Sequence, residues 1–123
     1  EKMALAAPTG FSLATEIADY LAKKNVPFAQ AHEAAGKCVA MCETTGRQLH
    51  QLTDEDFLSA HPSLDGGVRE VLTVHGALNS RTTSGGTAPT LVAKQIKDAL
   101  ISNSKTQQEI ASKQKAFSEM MSA

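Results

Sequence analysis

The sequence has no tryptophan, and its single tyrosine and four phenylalanines make up only 4% of 123 residues. A core with so few aromatic side chains must be filled by alanine, leucine, valine, isoleucine and methionine. Such a composition favours closely packed helices over a sheet. The length fits one domain of ordinary size, so we expect a single modest core.

Neither sign of charge is in excess, since 12 basic residues stand against 13 acidic ones and the net charge is −1. No basic stripe is present that could follow a phosphate backbone, so we expect no nucleic-acid partner. No run of 18 apolar residues occurs, and the N-terminus lacks a signal-peptide pattern. These absences predict a cytoplasmic protein with no membrane partner.

Cysteine is also scarce, because only Cys38 and Cys42 occur. Their spacing places both on one face of a helix. A disulfide framework would need more cysteines, wider spacing and a secretory context. We therefore expect a reducing compartment and two small, buried core thiols. A zinc site is not expected, since zinc needs three or four donors.

Apolar residues at helical spacing predict a first helix over Phe11–Lys24. Asn25 is suited to the left-handed conformation that ends a helix, and Pro27 prevents continuation. The residues before this helix, 1–10, are interpreted as the cut edge of a longer protein or as the end of a preceding helix.

The second helix is predicted from about Ala29 to Thr45, with Gly46 at its end. Gly36 in its interior costs about 1 kcal/mol relative to alanine, which suggests a tight helix crossing there. Thr53 is a suitable N-cap for a third helix, because three acidic residues follow it in the first turn. Pro62 limits that helix to about three turns.

Another short helix is predicted after the turn Asp65-Gly66-Gly67, whereas Thr73–Ser80 is ambiguous and could add one helical turn. The last helix is predicted to begin at Thr87 as its N-cap, followed by proline in the first turn. Beyond Ile101 the sequence turns polar, so residues 102–123 form a helical extension or a disordered tail. We expect an all-α fold, a small helical domain of about five helices whose last helix can be extended.

The four histidines show no metal-binding spacing, and no nucleophile elbow is present, so we expect no catalytic residue, metal or cofactor. One loop carries a candidate site, because it combines a cation, hydroxyls, glycines and a helix N-terminus. Its residues are Arg81, Ser84, Gly85, Gly86 and Thr87. They could cradle a carboxylate or phosphate. The alternative is a flexible loop whose glycines allow a sharp entry into the next helix.

Several ordered motifs lie between residues 13 and 100: Ala14–Leu21 with Val26-Pro27-Phe28, Gln30–Lys37, Glu43–Gly46, Thr53–Leu58 and Ser80–Pro89. Together they resemble the argininosuccinate lyase family, which carries A-T-[DE]-[LI]-A-[DE]-Y-L, [VM]-P-F and R-T-S-x-G-G-T-A-P patterns. The polar segment from Ser102 onward is not part of this resemblance.

The resemblance implies a cytoplasmic enzyme of arginine biosynthesis that splits argininosuccinate into arginine and fumarate by β-elimination, without a cofactor. It also implies a homotetramer of the aspartase/fumarase superfamily, with a central helical bundle and active sites shared between subunits. The family's G-S-S-x-M-P-x-K-x-N-P loop, which carries the catalytic serine, is absent here, as is its T-H histidine motif. No catalytic residue can therefore be carried over to this chain.

Residues 11–101 are accordingly expected to be the C-terminal helical domain of such a lyase, inactive alone and packed on the rest of the lyase chain and its homotetramer partners. The Arg81–Thr87 loop would face the mouth of the active site. Two other functions remain open, an independent helical interaction module that uses the small-residue face Ala31–Cys42 and an anion-binding protein that uses Gly85-Gly86-Thr87. The isolated piece is expected to be a monomer or to self-associate weakly.

Overall fold

The computed structural model describes residues 2–7 and 9–123, and within them the chain is helical with no strand. The all-α class is therefore confirmed. The described part has seven α-helices and one 3-10 turn, which are α1 Lys2–Ala6, α2 Ala14–Lys23, α3 Phe28–Thr45, the 3-10 turn Leu49–Gln51, α4 Asp54–Ala60, α5 Val68–Val71, α6 Val74–Asn79 and α7 Pro89–Ser122. The chain divides into two compact units, Glu1–Arg81 and Thr82–Ala123.

Helices α2 and α3 form the largest pairing in the first unit. Helix α2 begins at Ala14, three residues later than predicted, because residues 11–13 form a turn that follows Gly10 at φ +68°. Asn25 adopts φ +64° and ends α2, and Gly46 at φ +67° ends α3. Both terminators were predicted from the sequence, and both are confirmed, since only a left-handed residue lets the chain turn away there.

The core of the first unit is made of small and medium apolar side chains, as the composition predicts. Its fully enclosed members include Ile17 and Leu21 of α2 and Phe57 of α4. Cys38 and Cys42 are also buried and unbridged, so the interpretation of both as core residues is confirmed. Burial raises the pKa of the Cys38 thiol to about 11 and raises that of Cys42 as well.

Helix α4 is fixed at its start by a reciprocal cap. The Thr53 hydroxyl accepts from the Asp56 amide at 3.2 Å, and the Asp56 carboxylate accepts from the Thr53 amide at 2.9 Å. The predicted N-cap is therefore confirmed. The Arg47 guanidinium lies 2.8 Å from the same carboxylate, so the chain after α3 is tied to the start of α4. The helix ends at Ala60, before Pro62.

The loop before α5 is joined to α2 through Asp65. One carboxylate oxygen accepts from the Tyr20 hydroxyl at 2.5 Å, and the other lies 2.5 Å from the Lys24 ammonium. The hydrogen bond from Lys24, followed by that from Tyr20, lowers the pKa of Asp65 to about 2. A Cβ at Gly67 would lie 2.7 Å from the Tyr20 hydroxyl oxygen, so a larger residue there would make the Tyr20 side chain shift.

The ambiguous stretch Thr73–Ser80 contains helix α6. The Thr73 hydroxyl accepts from the Gly76 amide at 3.0 Å and caps the helix. The approximate count of five helices becomes seven in the described part because this segment folds as a helix separate from α5 and because a short helix, α1, lies near the N-terminus.

The second unit consists of the segment Thr82–Ala88 and the 34-residue helix α7. The predicted extension of the last helix is therefore confirmed. Thr87 is not its N-cap, because Ala88 holds that position at φ −56° and ψ 133°. Pro89 at the first helical position explains the difference, since a residue before proline is kept extended. The helix carries exposed large apolar side chains along its length, among them Ile96 and Phe117.

Candidate functional site

The Arg81 side chain, the cation of the candidate loop, is paired with two carboxylates of α2. Its guanidinium contacts Glu16 through one nitrogen, and the other lies 2.5 Å from an Asp19 carboxylate oxygen. The Glu16 side chain is only 6% exposed, whereas Asp19 is 39% exposed. One residue earlier, the Ser80 carbonyl accepts from the Lys23 ammonium at 2.7 Å. The last two residues of the first unit are thus held by three side chains of α2.

Different causes shift the pKa values of Glu16 and Arg81. Desolvation raises the pKa of Glu16, and the attraction of Arg81 opposes that rise without cancelling it. The hydrogen bond to Asp19 raises the pKa of Arg81. Because the positive charge of Arg81 already faces two negative ones, the guanidinium has little net charge to offer a further anion.

The rest of the candidate loop lies in the second unit, where Ser84 and Gly85 border a pocket of about 320 Å³. Gly85 has φ +79°, so this position requires a residue that tolerates the left-handed region. The Gly86 backbone makes two hydrogen bonds. Its amide donates to the Thr83 carbonyl at 2.8 Å, and its carbonyl accepts from the Gln95 side-chain Nε2 at 3.3 Å. Thr87 is exposed and does not line the pocket.

Sequence reasoning missed the residues that α7 contributes to this pocket. Lys94 supplies a cation and Asp98 an anion, and Thr82, Leu91 and Gln95 complete the lining. Lys94 and Asp98 are four residues apart, so they lie on one face of α7, and that spacing was the available signal. An anion in the pocket would meet attraction from Lys94 and repulsion from Asp98, so the lining favours neither charge.

A shallow groove lies between α2 and α3 in the first unit, with a volume of about 270 Å³. Small and apolar side chains form most of it, with Thr15, His32 and Glu43 as the polar members; the others are Ala14, Ala18, Ala35, Gly36, Val39 and Ala40. A Cβ at Gly36 would meet nothing within 4 Å, so the suggested tight crossing at Gly36 is wrong. Gly36 is instead an exposed residue at the edge of the groove.

No three His, Cys, Asp or Glu side chains among the residues that the structure describes are placed to hold a metal ion. His32 stacks on Phe28 with ring centroids 6.0 Å apart, and His61 accepts from the Ser63 amide at 3.0 Å through Nδ1. None of the described helices combines the length and apolar character needed to cross a lipid bilayer.

Comparison with known proteins gives the family. The sequence model of the family described as "Argininosuccinate lyase C-terminal" matches residues 11–79, which is more than half of the chain. This chain belongs to the argininosuccinate lyase C-terminal family. Argininosuccinate lyases of Streptomyces clavuligerus, Mycolicibacterium smegmatis and Thermobifida fusca are 55%, 54% and 53% identical to it over 96 residues. That match covers 78% of this chain and 20% of each relative, so the chain spans about a fifth of their length.

Placed on the structure, the argininosuccinate lyase C-terminal match begins at the turn before α2 and ends with α6. It therefore contains the buried core of the first unit, the reciprocal cap of α4 and the α2–α3 groove. Arg81, the rest of the candidate loop and α7 lie beyond the matched residues. The carboxylates that hold Arg81 lie inside them.

Proposed function

We propose that this chain serves as the C-terminal structural domain of an argininosuccinate lyase. The parent enzyme would split argininosuccinate into arginine and fumarate by β-elimination, as a step of arginine biosynthesis. The observation that carries the proposal is the identity of 55% to a named argininosuccinate lyase over 96 residues. From that identity we infer that the matching part of the relatives packs the same kind of core and serves the same role.

The chemistry of the reaction supports a scaffold role for this piece. β-Elimination needs a base for the proton next to a carboxylate and a donor for the leaving guanidinium nitrogen. Among the described residues, the most buried carboxylate, Glu16, is occupied by Arg81, and burial keeps the Cys38 and Cys42 thiols protonated. We therefore assign the chain a scaffold role and expect no lyase activity from it alone.

The rest of the lyase chain and its homotetramer partners are the proposed binding partners. The near balance of basic and acidic residues supports a role without a nucleic-acid partner. None of the described helices is long and apolar enough to span a bilayer, which fits the proposed role without a membrane partner. The proposed location is the cytoplasm. In that assembly the Arg81–Thr87 loop, with Ser84, Gly85 and Gly86, would lie at the edge of the active-site mouth. The proposed reaction uses no cofactor.

A domain exchange tests the proposal. The matching 96 residues of the Streptomyces clavuligerus lyase are replaced by those of this chain. Fumarate release from argininosuccinate is then followed by absorbance for the chimera, for the unaltered lyase and for this chain alone. We expect the chimera to retain lyase activity and the chain alone to release no fumarate.

The control is the same lyase with the 96 residues deleted, and light scattering gives the oligomeric state of each protein. An inactive, aggregated deletion beside an active chimera of native size supports the scaffold role. Fumarate release by the isolated chain would overturn it, and so would a soluble, correctly sized chimera without activity.

The alternative is an independent helical interaction module, which the exposed apolar side chains of α7 favour. The face first considered for it is not available, because Ala31, Ala34, Ala35, Cys38 and Cys42 are buried in the chain's own core. An anion-binding role is distinguished by titration with phosphate, fumarate or argininosuccinate. Unchanged amide signals of Gly85 and Gly86 would exclude that role.

A further inference from the structure

Three side chains of α2 contact the end of the first unit from one helix face. Glu16, Asp19 and Lys23 are spaced three and four residues apart, which aligns them along successive turns. Glu16 and Asp19 contact the Arg81 guanidinium, and Lys23 donates to the Ser80 carbonyl. These contacts join residues that are 57 to 65 positions apart in the chain.

Other anchors for this segment are few. Helix α6, which leads into Ser80, is six residues long and has no buried residue. After Arg81 the chain has no helix until Pro89. A short segment with little buried apolar surface belongs to the least stable part of a fold, and it opens without the core. Ser80 and Arg81 also donate their backbone amides to the Gly76 and Leu78 carbonyls, but those partners belong to the same short segment. The contacts from α2 therefore tie this segment to another part of the unit.

We propose that Glu16, Asp19 and Lys23 form a latch that holds Ser80 and Arg81, and that opening this latch frees the end of the first unit while the core stays folded. The closed latch fixes the point at which the chain leaves the first unit. It also occupies the Arg81 guanidinium, which must leave Glu16 and Asp19 before another protein can bind the side chain. When the latch opens, Ser80 and Arg81 join Thr82–Gly85 as one longer exposed segment.

The charges around the latch make separate opening possible. Glu16 is buried beside Arg81, and burying a carboxylate carries a desolvation cost that its attraction to a cation repays only in part. The raised pKa of Glu16 has the same cause. Replacing the two carboxylates by amides therefore weakens the hold on Arg81 without removing apolar packing from Ile17 or Leu21, which face the core.

Trypsin provides the test, because it must take the arginine side chain into its own specificity pocket before it cleaves. The full chain and the E16Q/D19N variant are digested under native conditions, and mass spectrometry follows the product cut between Arg81 and Thr82. When opening is fast, cleavage reports the population of the open form. We expect about a tenfold faster cut at this bond in the variant, which is the effect of weakening charge-assisted hydrogen bonds.

The matched control is D54N, which removes a carboxylate from the Arg69 ion pair in the same unit and should leave the rate at Arg81 unchanged. A second variant, R81K, keeps a trypsin site but cannot bridge two carboxylates, so it should also be cut faster. The rate of hydrogen exchange at the backbone amides of Leu21 and Phe57 must be the same in each variant as in the unaltered chain, which shows that the core stays folded.

The latch is refuted if the bond after position 81 is cut as fast in the unaltered chain as in both variants. It is equally refuted if the variants accelerate cleavage at Arg47, Arg69 and Arg81 by the same factor. That result would mean that the whole unit opens together, and that no separate latch exists.

Discussion

Gly76 in α6 is the position where adding a single methyl group should do most damage. An ideal Cβ there would overlap the carbonyl oxygen of Glu70 and would lie 2.7 Å from its carbonyl carbon and 2.9 Å from the Thr73 hydroxyl. The first two obstacles are backbone atoms, so they cannot rotate away. Overpacking of this kind costs up to about 3 kcal/mol, and the helix propensity gained with alanine returns about 1 kcal/mol. Gly76→Ala should therefore lower the free energy of unfolding by about 2 kcal/mol.

Gly36 provides the matched control, because it is also a helical glycine and its Cβ would meet nothing within 4 Å. Gly36→Ala gains the same propensity of about 1 kcal/mol without a clash. The two identical substitutions should therefore change stability in opposite directions, about 3 kcal/mol apart.

Urea unfolding followed by tyrosine fluorescence measures both effects, since the one tyrosine, Tyr20, lies in the first unit and no tryptophan interferes. The midpoint should rise for Gly36→Ala and fall for Gly76→Ala at an unchanged urea dependence. If Gly76→Ala proves as stable as the unaltered chain, the close approach of α6 to Glu70 does not exist as described. A destabilised Gly36→Ala would contradict the open groove between α2 and α3.

Two further predictions concern ionisable groups. The pKa of Asp65 is lowered to about 2 by the hydrogen bonds from Lys24 and Tyr20, so its contribution to stability is present above the unfolded value of 3.8 and is lost as the pH falls towards 2. Urea midpoints should drop over that interval, and D65N should remove part of the drop; an identical pH profile for D65N would contradict the assignment. Burial raises the pKa of the Cys38 thiol to about 11, so a disulfide reagent at neutral pH should modify Cys38 and Cys42 only as fast as the fold opens. Labelling at the rate of a free thiol would show that these residues are not core.

Local signals gave the boundaries that could be predicted from the sequence. Asn25 and Gly46 end their helices because the left-handed conformation is accessible to them, and Thr53 caps α4 because its hydroxyl reaches an amide three residues on. Thr87 shows where such reasoning fails when two signals compete. The Thr87 hydroxyl is suited to capping, but Pro89 keeps the residue before it extended, so Ala88 takes the N-cap position.

The sequence by itself determined the all-helical class, the buried cysteines and most helix ends, because composition, periodicity and capping act within a few residues. Only the tertiary structure decided what the candidate loop contains. In the folded chain the Arg81 guanidinium pairs with Glu16 and Asp19, which are more than 60 positions away in the sequence. Lys94 and Asp98 line the same pocket as Ser84 and Gly85. The tertiary structure also showed that the space beside Gly36 is open. Pairings between distant residues depend on how the helices pack, and no spacing along the chain encodes them.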